Sequence, residues 1–233
     1  MKVTCILTSF NRPNWVRHAL GSLAGQTHPD VEVLLFDDSS VFDIEPVARE
    51  FRFRSIRVFK NQVSPEDRRS QNRLGINCNR GLHEATGDLV SYLCDDDYYH
   101  PGWFKDAVAY FSRPENAGKK VAYGILTYSR SAEMVYPPSG HQLFRDAVLS
   151  APSCAVDHNQ VIHRRLEPPL LWPEKGAIGA PDAVYFTKLA KAGHLFYPIR
   201  SHAVVKRLHS KSLQKTHAEL GTSEGESIRE GRA

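Results

Sequence analysis

Nowhere does the chain approach the roughly 20 consecutive apolar residues that span a bilayer, so its sequence holds no evident membrane helix. Its opening, Met1-Lys2-Val3-Thr4-Cys5-Ile6-Leu7, passes directly into a folded-looking apolar pattern. That stretch is too short for a signal peptide's apolar segment and has no convincing cleavage site. A soluble, cytoplasmic or otherwise intracellular protein is therefore expected, with peripheral membrane association left open. Cysteine is scarce: Cys5, Cys78, Cys94 and Cys154 form no CxxC or other zinc-like spacing, which argues against a zinc site or a disulfide framework. Cys5 and Cys94 sit in strand-like apolar runs, where a small buried thiol is the ordinary explanation. No GxGxxG follows the first strand-like run, whose turn is Thr8-Ser9-Phe10-Asn11-Arg12, and no GxxxxGK[ST] occurs. A dinucleotide-binding fingerprint and a P-loop are thus excluded. Zinc-finger spacing, an RNA-recognition signature, a clear basic recognition helix and internal repeats are also missing.

What remains is a chain of 233 residues, 41% of them hydrophobic, enough for one large domain with a substantial core. A net charge of +4 permits a polyanionic partner without specifying one. Basic residues concentrate between Arg49 and Arg73 and between Lys191 and His217, the latter holding six Lys/Arg and no carboxylate. Acidic residues do something more specific. The apolar run Leu89-Val90-Ser91-Tyr92-Leu93-Cys94 ends in Asp95-Asp96-Asp97. Three adjacent carboxylates repel one another unless a cation, hydrogen bonds or open solvent offsets the cost. A strand tip opening into a loop is also where α/β proteins place their ligands.

The order of elements supports that placement. Val3 to Thr8 reads as a buried strand, Pro13 opens a helix carrying Trp15, Val16, Ala19, Leu20 and Leu23, and Val31 to Phe36 is a second strand ending at Asp37-Asp38-Ser39-Ser40. Ile56 to Phe59 is a third strand. Ser64-Pro65-Glu66-Asp67 starts a helix expected to run to about Thr86, where Gly87 ends it. Leu89 to Cys94 is the next strand, Pro101 begins another helix, and Val121 to Tyr128 is strand-like. Ser129 to Pro173 is turn-rich. Asp182 to Ala192 reads as a helix stopped by Gly193, Leu195 to Ile199 and Ala203 to Val205 as strands, and the polar segment 221–233 as a flexible tail. Strand–helix–strand alternation of this kind implies a parallel α/β sheet. Its two acidic ends, Asp37-Asp38 and Asp95-Asp96-Asp97, then fall on one edge. Such an edge suits a nucleotide: one carboxylate accepts from a base N–H or ribose hydroxyls, and another holds a divalent cation against a diphosphate.

Several stretches together resemble the family 2 inverting glycosyltransferases that use nucleotide-sugar donors. They are Val3-Thr4-Cys5-Ile6-Leu7-Thr8-Ser9-Phe10-Asn11-Arg12, Val33-Leu34-Leu35-Phe36-Asp37-Asp38-Ser39-Ser40, Asn79-Arg80-Gly81-Leu82, Ala85-Thr86-Gly87-Asp88 running into Asp95-Asp96-Asp97, and more weakly Gly179-Ala180-Pro181-Asp182. The resemblance is firm over 3–112 and looser over 170–212. It implies the GT-A fold: α/β, a single domain with a Rossmann-like, mostly parallel central sheet flanked by helices. Residues 1–112 would form the donor-binding half and 113–220 the acceptor-binding and catalytic half.

The resemblance also implies roles. The family's Asp-x-Asp triplet, aligned through Tyr92-Leu93, meets Cys94 in its first position, which leaves Asp95 as a ribose- or phosphate-side contact and Asp96 as the metal ligand. Asp97 either assists the metal or fixes the loop, and the alternative alignment Asp95-x-Asp97 stays open. Thr8, Phe10 and Arg12 belong to the donor site, with Phe10 near the nucleobase. Asp38 is the expected acceptor from a pyrimidine N3–H, with Asp37 its competitor, and Arg68 or Arg69 would approach the diphosphate. Asp182 takes the place of the catalytic base, with Pro181 where the family usually has Glu; helix capping is its bland alternative. His209, ahead of His202, would help the metal or diphosphate, while His158, His163 and His194 receive no role.

The expected activity is transfer of one sugar from a UDP- or TDP-sugar to an acceptor hydroxyl with Mn²⁺ or Mg²⁺, the mixed oxygen and nitrogen donors favouring Mn²⁺. A glycan, a lipid-linked or a small-molecule acceptor is expected. The alternatives are a modified nucleic-acid base as acceptor, a sugar nucleotidyltransferase, and a non-catalytic nucleic-acid-binding domain.

Overall fold

The computed structural model describes residues 1–131, 133–136, 140–153, 155–175 and 180–209. The expected tail at 221–233, Cys154, Gly179, Pro137-Pro138-Ser139 and the basic run beyond His209 lie outside the described residues.

In chain order, β1 (Val3–Ser9), α1 (Pro13–Ala24), β2 (Val31–Asp37), α2 (Glu45–Arg49) and β3 (Ser55–Lys60) lead into α3 (Pro65–Ser70), α4 (Arg73–Glu84) and β4 (Leu89–Cys94). Then follow β5 (Tyr98–Tyr99), α5 (Trp103–Ser112), β6 (Val121–Ser129), β7 (Gln142–Leu143), β8 (Val161–Arg164), α6 (Pro181–Lys191) and β9 (Phe196–Arg207). The strands form one sheet in the order β3-β2-β1-β4-β8-β6-β9-β5, with β7 on β6. From β3 to β4 all pairings are parallel, as expected. Beyond β4 the sheet is mixed: β8 runs antiparallel to β4 and β6, whereas β6 and β9 are parallel.

Helices cover both faces, which is why β1, β2 and β4 read as continuous apolar runs. On β1, Val3, Cys5 and Leu7 pack with Val16, Leu20 and Leu23 of α1 and Phe104 of α5, while Ile6 faces Cys78 and Leu82 of α4 and Tyr185 and Phe186 of α6. A Cβ on Gly81 of α4 would lie 2.7 Å from Ile6 side-chain atoms, so glycine there sets how closely the helix sits on the sheet. No helix among the described residues is long and apolar enough to cross a membrane.

Two sequence expectations need correction. The helix from Ser64 to about Thr86 is two helices. Ser64 caps α3 as expected, accepting from the Asp67 N–H at 3.0 Å. Gln71 and Asn72 then turn extended, and Asn72 caps α4 by accepting from the Gly75 N–H at 3.1 Å. The Asn72 N–H donates to the Glu174 carbonyl at 2.8 Å, so a distant segment holds the break open. Second, the expected strands Leu195 to Ile199 and Ala203 to Val205 fall, from Phe196 on, within the single strand β9, which absorbs the irregularity as register shifts against β6 near Ile125. The short elements α2, β5, β7 and β8 were not expected.

Register builds the site. Thr8 lies opposite Phe36 on one side and Cys94 on the other, and Ser9 lies opposite Asp37. The ladder continues one residue further: the Asp38 N–H donates to the Ser9 carbonyl at 2.8 Å and the Asp95 N–H to the Thr8 carbonyl at 3.0 Å. Both acidic strand ends therefore stand on one edge.

Candidate active site

The three consecutive aspartates have three different surroundings. Asp95 accepts from the Phe10 N–H at 2.9 Å and from the Arg12 guanidinium at 3.1 Å. Burial, with the neighbouring Asp96 charge, pushes its carboxyl up to about 7 despite that arginine. Asp96 receives the same guanidinium at 2.6 Å and lies 3.1 Å from His209 Nε2. Burial alone would raise its pKa, but the His209 hydrogen bond and the charges of Arg12 and Lys206 hold it below the usual range. Asp97 turns inward. One oxygen accepts from the Arg207 N–H and the other from Asn159 Nδ2, both at 2.9 Å, and burial raises its carboxyl strongly.

Around Asp38 the charges are cationic. Arg73 reaches its carboxylate at 2.8 Å and Arg68 at 3.0 Å, with Asn61 and Asn77 each at 3.3 Å. Burial would raise this carboxyl, but Arg73, Asn77 and Arg68 together hold it low. The break between α3 and α4 gives Arg68 and Arg73 separate approaches to the same group. Arg68 also lies over the Phe10 ring, 3.7 Å from its centroid, and Phe10 is 38% exposed. Asp37 is buried and accepts from the Ser40 hydroxyl and N–H; burial raises its carboxyl. Thr8 is partly buried between β2 and β4, and Arg69 is exposed.

On the other side of Cys94 stands a cluster in which only Asp182 had an expected role. Asp157 caps the short turn His158–Gln160, accepting from the Asn159 N–H at 3.0 Å. His158 is buried. Its Nε2 lies 3.2 Å from Cys94 Sγ, and its Nδ1 lies 3.6 Å from both Asp157 and Asp182. Burial would depress the imidazole, but the carboxylates of Asp157 and Asp182 and the hydrogen bond with Cys94 push it well above 6.5. The thiol is pushed up to about 11 by burial, so Cys94 is neutral at neutral pH. Asp157 also accepts from the Lys206 ammonium. Asp157, His158 and Asp182 each offer a donor atom within 4.8 Å of the others, close enough for one cation; the Lys206 ammonium pairs with Oδ2 of Asp157, while Oδ1 is the oxygen that faces His158. Asp182, in the first turn of α6, keeps a side chain 23% exposed and accepts from the Ala183 N–H.

The residues from 4 to 167 match the model of glycosyl transferase family 2, about two thirds of the chain. The chain belongs to glycosyl transferase family 2. Among curated relatives of this family member, protein CgeD of Bacillus subtilis (strain 168) is 33% identical over 166 residues, covering 70% of this chain and 38% of that protein. The GalNAc(5)-diNAcBac-PP-undecaprenol beta-1,3-glucosyltransferase of Campylobacter jejuni is 28% identical over 151 residues, covering 64% of this chain and 46% of that enzyme. The chain thus spans less than half the length of either. A similar fold occurs in residues 1–349 of S. aureus TarS in complex with UDP-GlcNAc, with a TM-score of 0.70 at 17% identity, covering 94% of this chain and 64% of that one.

For this family 2 glycosyltransferase, the expected residues Thr8, Phe10, Arg12, Asp37, Asp38, Arg68, Asp95, Asp96 and His209 come to one edge of the sheet. Asp182 connects to it through His158 and Cys94. His202 lies elsewhere, its ring 5.6 Å from that of His100. The sequence reading missed Arg73, Asn77, Asp157, His158, Asn159 and Lys206. One signal was available: Asp157-His158-Asn159-Gln160 is a capping box in front of apolar Val161-Ile162, with the Asp157 N–H donating to Gln160 Oε1 at 3.0 Å.

Proposed function

We propose that the chain moves one sugar from a UDP- or TDP-sugar to an acceptor hydroxyl by direct, inverting displacement, with a divalent metal. The observation that carries this reading is the pairing of the Asp96 carboxylate with His209 at 3.1 Å on the edge that also holds Asp38 and Phe10. Phe10 and Asp38 form the base end, where an exposed ring can stack and a carboxylate can accept from a pyrimidine N3–H. Arg68, bonded to Asp38 and lying over Phe10, borders the base. Thr8 and Arg12 line the way to the diphosphate, and Arg69 keeps the phosphate role expected of it.

Asp96 and His209 offer one carboxylate oxygen and one imidazole nitrogen, a donor set that fits Mn²⁺ better than Mg²⁺. Asp97, with both oxygens engaged, holds the loop rather than the metal. A bound cation would neutralise charge on the departing diphosphate. The protein's own groups do the rest. Asp182 takes the proton from the acceptor hydroxyl as its oxygen bonds to the anomeric carbon, and the anomeric C–O bond to the diphosphate breaks with its electron pair leaving on the diphosphate. Arg12 offsets the charge of Asp95 and Asp96 beside the leaving group. Residues 1–112 serve as the donor half and 113–220 as the acceptor-binding and catalytic half. A lipid-linked acceptor is favoured among the acceptor classes, supported by the undecaprenol-linked substrate in the Campylobacter relative's name.

Calorimetric titration with UDP, TDP, GDP and ADP, each with Mn²⁺ and with EDTA, tests the donor site. Pyrimidine diphosphate binding that requires Mn²⁺ and is lost in Asp96→Ala is the expected result. Absence of nucleotide binding under every condition would refute it.

A further inference from the structure

We infer that His158 is a positioning residue for Asp182: a buried imidazole that fixes the orientation of this carboxylate and ties the start of α6 to the acidic end of β4. The inference rests on the reading of Asp182 as catalytic base and adds a residue that reading does not contain.

The geometry carries it. Asp182 sits in the first turn of a helix with no side-chain cap at its N-terminus, and its own hydrogen bond is to the next residue's N–H, at 2.9 Å. That bond leaves the outer oxygen, Oδ2, to be placed by something else. Among the described residues, His158 Nδ1 faces Oδ2 at 3.6 Å. The imidazole is itself held from every side. Nε2 meets Cys94 Sγ at 3.2 Å, and the Trp172 ring stands edge-on with its centroid 5.9 Å away. The backbone is pinned by the Asp157 capping box. Asp157 is in turn fixed by Lys206 of β9, and Asn159 ties the turn to Asp97 at 2.9 Å and to the Cys94 N–H at 2.9 Å. A rigid ring with one nitrogen on β4 and the other on α6 transmits the position of the donor edge to the base. Cys94 gives the arrangement its logic. Its neutral thiol accepts from or donates to the ring without adding a fourth charge to the acidic edge.

Donor and acceptor accounting permits this in either protonation state. Nδ1 faces Asp182 and Asp157 across 3.6 Å as a charge contact longer than a hydrogen bond, and Nε2 either accepts from the thiol or donates to its sulfur.

The test compares His158→Leu, His158→Asn, Asp182→Asn and the double variant His158→Leu/Asp182→Asn in release of UDP from UDP-N-acetylglucosamine, with water as acceptor and Mn²⁺ present. UDP affinity by calorimetry and thermal melting accompany each variant. Asparagine can keep the donor that faces Asp182; leucine cannot. Expected are a kcat lower by about 10- to 100-fold in His158→Leu, in the range of a lost positioning contact, with KM and UDP affinity within twofold. His158→Asn should recover most of that loss, and His158→Leu should cost nothing further once Asp182 is Asn. Additive losses in the double variant, a loss that appears in KM alone, or activity restored by raising Mn²⁺ would each overturn the inference. If His158→Leu does not fold, a kcat for His158→Asn as low as that of Asp182→Asn overturns it equally. Full activity in Asp182→Asn would instead refute the base assignment. An inactive Asp182→Asn beside a fully active His158→Leu would refute only the role of His158.

Discussion

Arg12 occupies the place where the proposed metal and the acidic edge meet, and replacing it with methionine separates their contributions. Its guanidinium contacts Asp95 at 3.1 Å and Asp96 at 2.6 Å, and the two carboxylates are largely buried. Removing one partner from a fully buried ion pair costs about 3–5 kcal/mol, whereas an exposed pair is worth about 0–1 kcal/mol. The Arg12 side chain is 29% exposed, so an intermediate loss of about 2 kcal/mol is expected. For a chain of this length that corresponds to a fall in Tm of about 4–8 °C in EDTA. Methionine keeps much of the aliphatic packing but leaves two adjacent carboxylates without their cation. A divalent ion on Asp96 supplies the missing charge, so Mn²⁺ should raise the Tm of Arg12→Met more than that of the wild type, recovering most of the deficit. The assay is thermal unfolding by circular dichroism in EDTA and in Mn²⁺, with Asp96→Asn as the control that loses the Mn²⁺ effect. Equal stabilisation of wild type and Arg12→Met by Mn²⁺ would refute the placement of the metal beside this guanidinium.

Asp38→Asn should weaken UDP binding by at least about tenfold in calorimetry, because it removes the carboxylate that gathers Arg68 and Arg73 and a charged hydrogen bond is worth about 1.5–3 kcal/mol; unchanged affinity would remove Asp38 from the base site. In metal-free protein, Asp95 holds its proton up to about 7, against about 3.9 in an unfolded chain. The folded state therefore binds that proton more tightly, and the contribution of this group to stability is lost as pH rises from about 4 to 7. Urea unfolding in EDTA at pH 5 and pH 8 should show a smaller difference in Asp95→Asn than in the wild type, and an identical difference would contradict the assignment. Gly81→Ala forces a Cβ to within 2.7 Å of Ile6 and should cost about 1–3 kcal/mol in urea unfolding while leaving UDP affinity unchanged.

Much of this molecule was legible in its sequence because the signals were local. Strands buried between two helical layers are mainly apolar, and β1, β2 and β4 are, with the buried Thr4 and Glu32 hydrogen-bonded to each other. Ser64, Pro65 and Asp67 spell a helix start that the chain obeys. Acidic residues at the ends of parallel strands share an edge because the parallel ladder puts strand ends side by side. The break at Asn72 was harder to read: asparagine is tolerated inside a helix, and the partner that makes it a cap, the Glu174 carbonyl, is a hundred residues away in the chain.

Element order thus determined the parallel α/β sheet and its acidic edge, while the GT-A fold and Asp182 were implied by the resemblance to the family. Only the tertiary structure decided what surrounds each carboxylate. Asp95, Asp96 and Asp97 are alike in sequence. They differ because the Phe10 N–H comes to the first, His209 to the second from 113 residues away, and Asn159 and Arg207 to the third, while Arg12 is shared by the first two. Likewise nothing near Asp182 in the chain points to His158, which β8 and its preceding turn bring beside it. Element propensities follow from neighbours a few residues apart. The charge, hydration and orientation of a buried side chain follow from whichever distant groups the packed fold sets against it.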